Sequence, residues 1–445
     1  MREETVLLIS RLADCSGHPL AKHVEGDMFV NAPVEEFYYK PLKQVFSRVL
    51  QYDCVARMTE IGFSGINEEL IALVRKEKPR YVLWMSSMYE VTAATFDAIR
   101  REGATIIGWF NDDEYRFAFY HQWWLPHVDY CVTHDLQSVE RYRALGARPV
   151  FAFPCEGTPV EKDWSKVEEN YEVSFVGRKS KSMRGDYIYR LEQEGIAVNL
   201  FGRGWEHGYV TTGQMLDIFG TSKINLNFSG TGNRKGIKAR IAIVCLAGGF
   251  LLTEYAPGLE RFFEIGKELA VFKDAAGMVD QIRYYLAHDE ERRAVARAGW
   301  ERAVKEYTPA RMIARVFDEV EADIAGGTAW TPPPVRKRPW TVRNAYSQYY
   351  FQWGRAYASE GCDDLARDAL RLALAQNSLN LGARYYTLAG HFPRALRGGL
   401  FGLYRPFHGL SRWFVKLRLR LYRVMDALPG VNNLKKAMSR KLSYS

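Results

Sequence analysis

The feature that most narrows the fold of this chain is an alternation. Short apolar, β-branched runs, VLLIS (6–10), YVLWM (81–85), TIIGWF (105–110) and YCVT (130–133), are followed by EVSFVG (172–177), AVNLFG (197–202), INLNF (224–228), FLLT (250–253) and LAVF (269–272), with longer amphipathic segments between them. Strands separated by helical patterns of ten or more residues read as βαβ units, and hence as mostly parallel sheets. Together they specify an α/β fold of doubly wound parallel sheets. The polar stretch 156–171, which carries Pro159, precedes a fresh strand series. Two Rossmann-like domains facing a cleft are therefore expected, over 1–157 and 158–325. Ligands of such sheets lie beyond the carboxyl ends of the strands, which selects the loops to search for chemistry.

The pattern stops at AGGTAWTPPPVRKRP, a Gly- and Pro-rich stretch that reads as a stiff linker over 326–346. Over 347–391, Tyr350, Trp353, Gly354, Tyr357, Gly361, Ala366, Leu370 and Ala373 match the spacing of one tetratricopeptide unit. A single repeat cannot bury its apolar face alone, so it must pack on the body, on the helical start 381–389 or on a protein partner. The remaining segment, 392–445, carries twelve Lys/Arg against Asp426 alone, a net +11, so the first 391 residues hold the other −2 of the chain's +9. Within it, 410–428 places Leu410, Trp413, Phe414, Leu417, Leu421, Val424, Met425 and Leu428 at helical steps with Arg412, Lys416, Arg420 and Arg423 between them. That pattern suits the headgroup region of an anionic membrane and equally a helix docked on the repeat. Nucleic acid is a less favoured partner, because no recognisable binding module accompanies the charge.

A chain of 445 residues is long enough for two or three cores. No stretch approaches the length of a spanning helix, and MREETVLLIS lacks the pattern of a secretory signal. Six dispersed cysteines show no metal-ligand or framework spacing. A reducing cytoplasm is the expected setting, with a peripheral position at the inner membrane face for the basic tail, and no metal site is expected.

Most of the chemistry concentrates in NFSGTGNRKGIKARIAIVCLAGG (227–249), where a strand runs into a glycine-rich loop and then an apolar helix. Gly230, Gly232 and Gly236 permit close backbone approach. Arg234, Lys235, Lys238 and Arg240 cluster where the helix dipole is already positive, an arrangement that calls for an anion unless water solvates the whole loop. A second basic loop, Gly177 to Arg184 and including Arg178, opens at another strand's end. Neither GRGWEHG (202–208) nor GTGNRKG (230–236) has dinucleotide-fingerprint spacing, and no P-loop is present. In the first half, WFNDDEYRF (109–117) offers Asp112 and Asp113 as a general base or sugar ligand, against the plainer roles of helix cap or Arg116 partner. His134 follows the strand YCVT at the same edge; His18 is a weaker loop candidate.

These residues resemble the CgeB-type glycosyltransferase-like family. The similar stretches are VSFVGRKSKSMR (173–184), GIAVNLFGRGW (195–205), SKINLNFSG (222–230), IKARI (237–241), GGFLLTEYAPGLERFFEIGKELAVF (248–272) and IRYYLAHDEERRAVARAGWERAVKEYT (282–308), with GATIIGWFNDDEYRF (103–117) and DYCVTHDLQSVERYRALGA (129–147) upstream. The resemblance implies a GT-B enzyme whose second domain binds a nucleotide-diphosphate sugar and whose first presents a glycan, lipid-linked or protein acceptor. It further implies that Gly177, Arg184, Lys238, Arg240 and Thr253 line the donor, and that no separate cofactor is used. The family's helix then reads Arg-x-Phe-Glu, whereas here it is Arg240-Ile241-Ala242-Ile243. Losing a ribose-binding carboxylate would cost about ten- to a hundredfold in donor affinity unless Glu254 or another carboxylate replaces it. A non-catalytic homologue acting as a binding protein is the alternative this departure raises.

Overall fold

The computed structural model describes residues 1–390 except 13, 14, 16, 25–33, 86–88, 167, 180–182, 232, 233 and 328. Gly232 and the basic segment 392–445, including 410–428, thus lie outside the described residues. The described residues of 1–18 and 26–338 form one unit, and those of 19–25 and 339–445 another.

The first unit opens with β1 (Arg2–Ser10), β2 (Phe46–Asp53), β3 (Tyr81–Met85), β4 (Thr105–Phe110), β5 (Tyr130–Thr133) and β6 (Pro149–Phe151). They form one parallel sheet in the order β2-β1-β3-β4-β5-β6. Val6 to Ile9 and Tyr81 to Trp84 are almost wholly buried, as continuous apolar runs require of central strands. β2 was not anticipated from its sequence, FSRVLQYD. It is an edge strand with Ser47, Arg48 and Gln51 exposed, and polar residues there protect an open edge from stray pairing. The sheet's helices are α1 (Lys40–Val45), α2 (Cys54–Glu77), α3 (Ala93–Arg101), α4 (Asp113–Arg116) and α5 (Leu136–Ala144). Asp53 starts α2 by accepting the amides of Val55 and Ala56, both at 3.0 Å.

A second parallel sheet follows, from β7 (Tyr171–Val176), β8 (Asn199–Phe201), β9 (Ser222–Asn227), a small hairpin of β10 (Gly230–Thr231) and β11 (Arg234–Lys235), then β12 (Leu251–Glu254) and β13 (Ala270–Phe272). Its order is β13-β12-β9-β7-β8. Chain progression reverses between β7 and β9, so the loops leaving those two strands diverge and open a crevice. Around the sheet pack α6 (Met183–Gln193), α7 (Thr212–Thr221), α8 (Ala239–Leu246), α9 (Ala275–Ala287) and α10 (Asp289–Glu306). The next helix, α11 (Pro309–Ala325), follows the second sheet in sequence but packs on the first. Phe317 meets Phe46 and Tyr81 edge-on at 4.7 and 5.1 Å, and Tyr130 donates to Asp323 at 2.7 Å. Both sheets belong to the one unit.

In the second unit, α12 (Trp340–Ser359), α13 (Asp363–Gln376) and α14 (Leu381–Ala389) form a helical hairpin with a third helix. α12 begins inside the stretch expected to be linker. Gly354 lets α12 and α13 touch, since a Cβ there would lie 2.8 Å from Leu370 Cγ. The face that one repeat cannot bury alone is covered from two sides. Asn380, capping α14, donates to Ser347 on α12 at 2.9 Å, and Arg355 holds the carbonyl of His23 at 3.1 Å.

Candidate functional site

The crevice between β7 and β9 is built from the second sheet outward. β9 ends in Asn227, which is fully buried and donates to Thr253 on β12 at 2.9 Å. Its Oδ1 accepts from Arg240 Nη1 at 3.1 Å, and the Arg240 guanidinium lies over the Phe175 ring at 5.5 Å. Thr253 thus sits beneath the site as a support for Asn227 and is not open to a ligand. Gly177, at the end of β7, is the point of closest approach: a Cβ there would come within 3.1 Å of Arg240 Nη2. Gly202 (φ +117) continues this packing from the neighbouring strand, where a Cβ would lie 2.4 Å from the Gly177 oxygen.

Arg184 and Arg240 face this point with no carboxylate within ion-pair distance among the described residues, and Arg184 Nε is buried without a partner. Burial, and then the nearby Arg184 charge, push the Arg240 guanidinium down to about 10. Arg184 is likewise lowered by burial, with Glu254 opposing. Two cations held together without a counter-ion are electrostatically unfavourable, and an anion between them would reverse the sign of that energy.

The glycine-rich loop is held by Glu254. Its carboxylate accepts the amides of Ser229 and Gly230 at 3.0 and 3.1 Å, the Tyr187 hydroxyl at 3.3 Å and the Lys235 ammonium at 3.0 Å. With those partners at 2% exposure, Glu254 shapes the loop and has no oxygen to offer a ribose. Lys235, at the exposed end, is drawn to Glu254. Lys238 is the residue before α8 and pairs with Glu114 from the first domain, while Gly236 sits beside that carboxylate. Arg178 is exposed at the rim.

The opposite wall leaves the carboxyl end of β4. Asp112 is exposed, in left-handed backbone (φ 63°, ψ 38°), and accepts from Tyr115 at 2.8 Å. Asp113 turns the other way, into the core at 1% exposure. It accepts His121 Nδ1 at 2.6 Å and the hydroxyls of Thr133 and Tyr142, both at 2.5 Å. So enclosed, it serves the framework and cannot reach an acceptor. His134 is also occupied at both nitrogens: Nδ1 donates to the Ala152 carbonyl at 2.7 Å, and Nε2 accepts from Trp109 at 3.0 Å. The structure therefore brings Gly177, Arg184, Gly236, Lys238 and Arg240 to one crevice, and leaves Asp112 alone of the three nominated bases facing solvent. His18 closes the opening segment of the first unit and lies apart from these loops in sequence.

Three residues were missed. Asn227 had a signal, since INLNF repeats Asn at i and i+2 in a strand otherwise apolar. Glu114 stood in the NDDE run but could not be told from its neighbours without knowing which way α4 turns. Glu156, in the crossover between domains, is raised by burial first and then by the Asp112 charge, with Tyr38 hydrogen-bonded at 3.4 Å. Beside it, Gly157 packs on Ile243, which is 8% exposed.

Most site residues of the second sheet, though not Gly177 or Arg178, fall within a recognised family region. Residues 184–318 match the model of a family described as Glycosyl transferase-like. This second domain is accordingly glycosyltransferase-like, and the match takes in Arg184, Lys238, Arg240 and Glu254. No curated protein sequence matches the chain. Among solved structures, it is similar to HepE of Anabaena in complex with UDP and glucose (TM-score 0.47, 11% identity, 72% of this chain and 100% of that chain). It is also similar to sucrose-phosphate synthase of Thermosynechococcus elongatus (TM-score 0.48, 11% identity, 72% and 100%). A glycosyltransferase of Rickettsia africae aligns at TM-score 0.47 and 10% identity over 74% of this chain and 100% of its own.

The buried histidines make a prediction about stability. Burial lowers both His121, against the opposing Asp113, and His134. Protonating His121 would also bury an unpaired Nε2–H. Because the folded state binds fewer protons than the unfolded one, stability is complete above the unfolded histidine value of about 6.5 and is lost as pH falls below it. Urea unfolding at pH 7.5 and 5.5 should show a loss of up to about 1.4 kcal/mol per histidine, and His121→Phe should remove its share of the slope.

Proposed function

We propose that the chain transfers a sugar from a nucleotide-diphosphate donor to a hydroxyl of a glycan, lipid-linked sugar or protein, and that it belongs to the CgeB-type branch of the glycosyltransferases. The observation that carries this reading is the Arg184–Arg240 pair, partly buried at the β7/β9 switch point with no carboxylate partner among the described residues. Fixed cations facing the departing diphosphate stabilise charge as it develops and need no reorganisation at that moment. With guanidinium groups in that role the reading requires no metal ion. Asp112 and Glu156 are the carboxylates from which an acceptor base would be drawn if the reaction inverts.

The test is calorimetric titration with UDP, GDP, ADP and their sugars, with and without EDTA, followed by a donor-hydrolysis assay. At least one nucleoside diphosphate should bind, unchanged by EDTA and more weakly as salt rises. If none binds, the donor-site reading fails; if EDTA abolishes binding, metal independence does. A second reading, a homologue that binds donor without turnover, is favoured by a specific pair of facts. Ile243 is buried against Gly157, and every oxygen of Glu254 is already engaged. Tight binding with no hydrolysis and no transfer to any sampled acceptor would favour it. Among the described residues no helix is long and apolar enough to cross a membrane; membrane attachment through 410–428 and a protein partner on 347–391 remain part of the proposal. Sedimentation with anionic vesicles at low and high salt tests the former.

A further inference from the structure

The first domain places a carboxylate on the cation that the donor site would use. Glu114 is paired with Lys238, their side chains 11% and 20% exposed, so the contact is largely shielded from water. The carboxylate lies against the loop as well: a Cβ on Gly236 would come within 3.1 Å of Glu114 Oε1. No side chain caps α8 at Lys238, the residue whose ammonium Glu114 holds just before the helix's positive end.

Glu114 is held there by its neighbours. Asp112 takes a left-handed conformation that non-glycine residues adopt only at a cost of about 1 kcal/mol or more. That turn sends Asp113 inward to His121, Thr133 and Tyr142 and leaves the next side chain pointing across the crevice. Three buried hydrogen bonds on one residue thus aim the carboxylate of the next. Among the described residues no carboxylate pairs with Arg184 or Arg240 in this way.

Resting on the donor-site reading above, we infer that Glu114 is the chain's own competitor for the donor's phosphate, and that donor binding is an anion exchange at Lys238. Without ligand the carboxylate satisfies Lys238 and holds the two crevice walls together. An incoming diphosphate gathers Arg184, Arg240 and Lys238, and Glu114 is released from Lys238. Glu114 is in this way a specificity-determining residue. An anion too weakly charged to draw Lys238 away meets a site that is already neutral there.

The experiment is a double-mutant cycle on the full chain, read by calorimetry with inorganic pyrophosphate and with UDP, GDP and ADP, each variant first checked by thermal melting. Glu114→Gln should tighten pyrophosphate about tenfold, and Lys238→Met should weaken it. In the Lys238→Met background, Glu114→Gln should change affinity less than about twofold, because the competition acts through Lys238. Equal tightening in both backgrounds would mean a general field effect and would overturn the inference, as would no tightening with Lys238 present. If all four proteins bind neither pyrophosphate nor any nucleotide, the donor-site reading itself has failed. Binding that depends on Arg240 but ignores Glu114 leaves that reading standing and sinks only the exchange.

Discussion

Arg240→Met should reduce nucleoside-diphosphate affinity by about a hundredfold or more, while the unliganded protein melts no more than slightly earlier than wild type. The thermal effect stays small because Arg240 is partly buried beside a second guanidinium, with no carboxylate in ion-pair distance among the described residues. Methionine has similar length and packs acceptably against Phe175, over which the guanidinium now lies. Removing an unpaired buried charge relieves desolvation and repulsion from Arg184; against this, Asn227 Oδ1 loses its donor, a cost of about 1 to 3 kcal/mol. Binding and melting must therefore be measured together. A variant that unfolds would show the guanidinium to be a structural member of the core. One that melts normally and still binds would place the anion site elsewhere.

Some of this could be read in the sequence and some could not, for identifiable reasons. The runs VLLI (6–9) and YVLWM (81–85) are apolar on every residue, and all of these residues are buried. β2 escaped because an edge strand is selected for polarity, which erases the apolar signal by which strands are recognised. The charge excess at the start of α8 was visible, and it pointed to an anion, but Glu114 comes from residues far away in the chain, and only folding reveals that part of the excess is already met. Acid residues were harder still. Asp112, Asp113 and Glu114 are adjacent and chemically alike, and their fates are solvent, core and crevice. That division is made by one left-handed residue, which a sequence of Asn, Asp and Asp permits without announcing. Glu254 was legible as a carboxylate near the loop; its four partners, which consume it, were not.

Asp113 gives the sharpest separation between a catalytic and a supporting carboxylate. Asp113→Ala leaves three buried donors, from His121, Thr133 and Tyr142, without an acceptor, and should destabilise the first unit by about 3 to 5 kcal/mol. Thermal or urea unfolding reads this directly. Asp113→Asn should cost much less. Oδ1 accepts from both His121 and Tyr142, so a single amide oxygen can keep both bonds, and the amide nitrogen then faces Thr133, whose hydroxyl can accept. The same pair of variants discriminates function. A general base is lost equally in alanine and asparagine, since neither takes a proton, so turnover would vanish in both. A residue that only anchors α4 behaves differently: asparagine keeps the turn, Glu114 stays aimed at Lys238, and donor affinity and turnover stay within a few-fold of wild type. Loss of turnover in Asp113→Asn with normal melting would return Asp113 to the chemistry, and would require its buried carboxylate to be reached by a route that the folded chain does not contain.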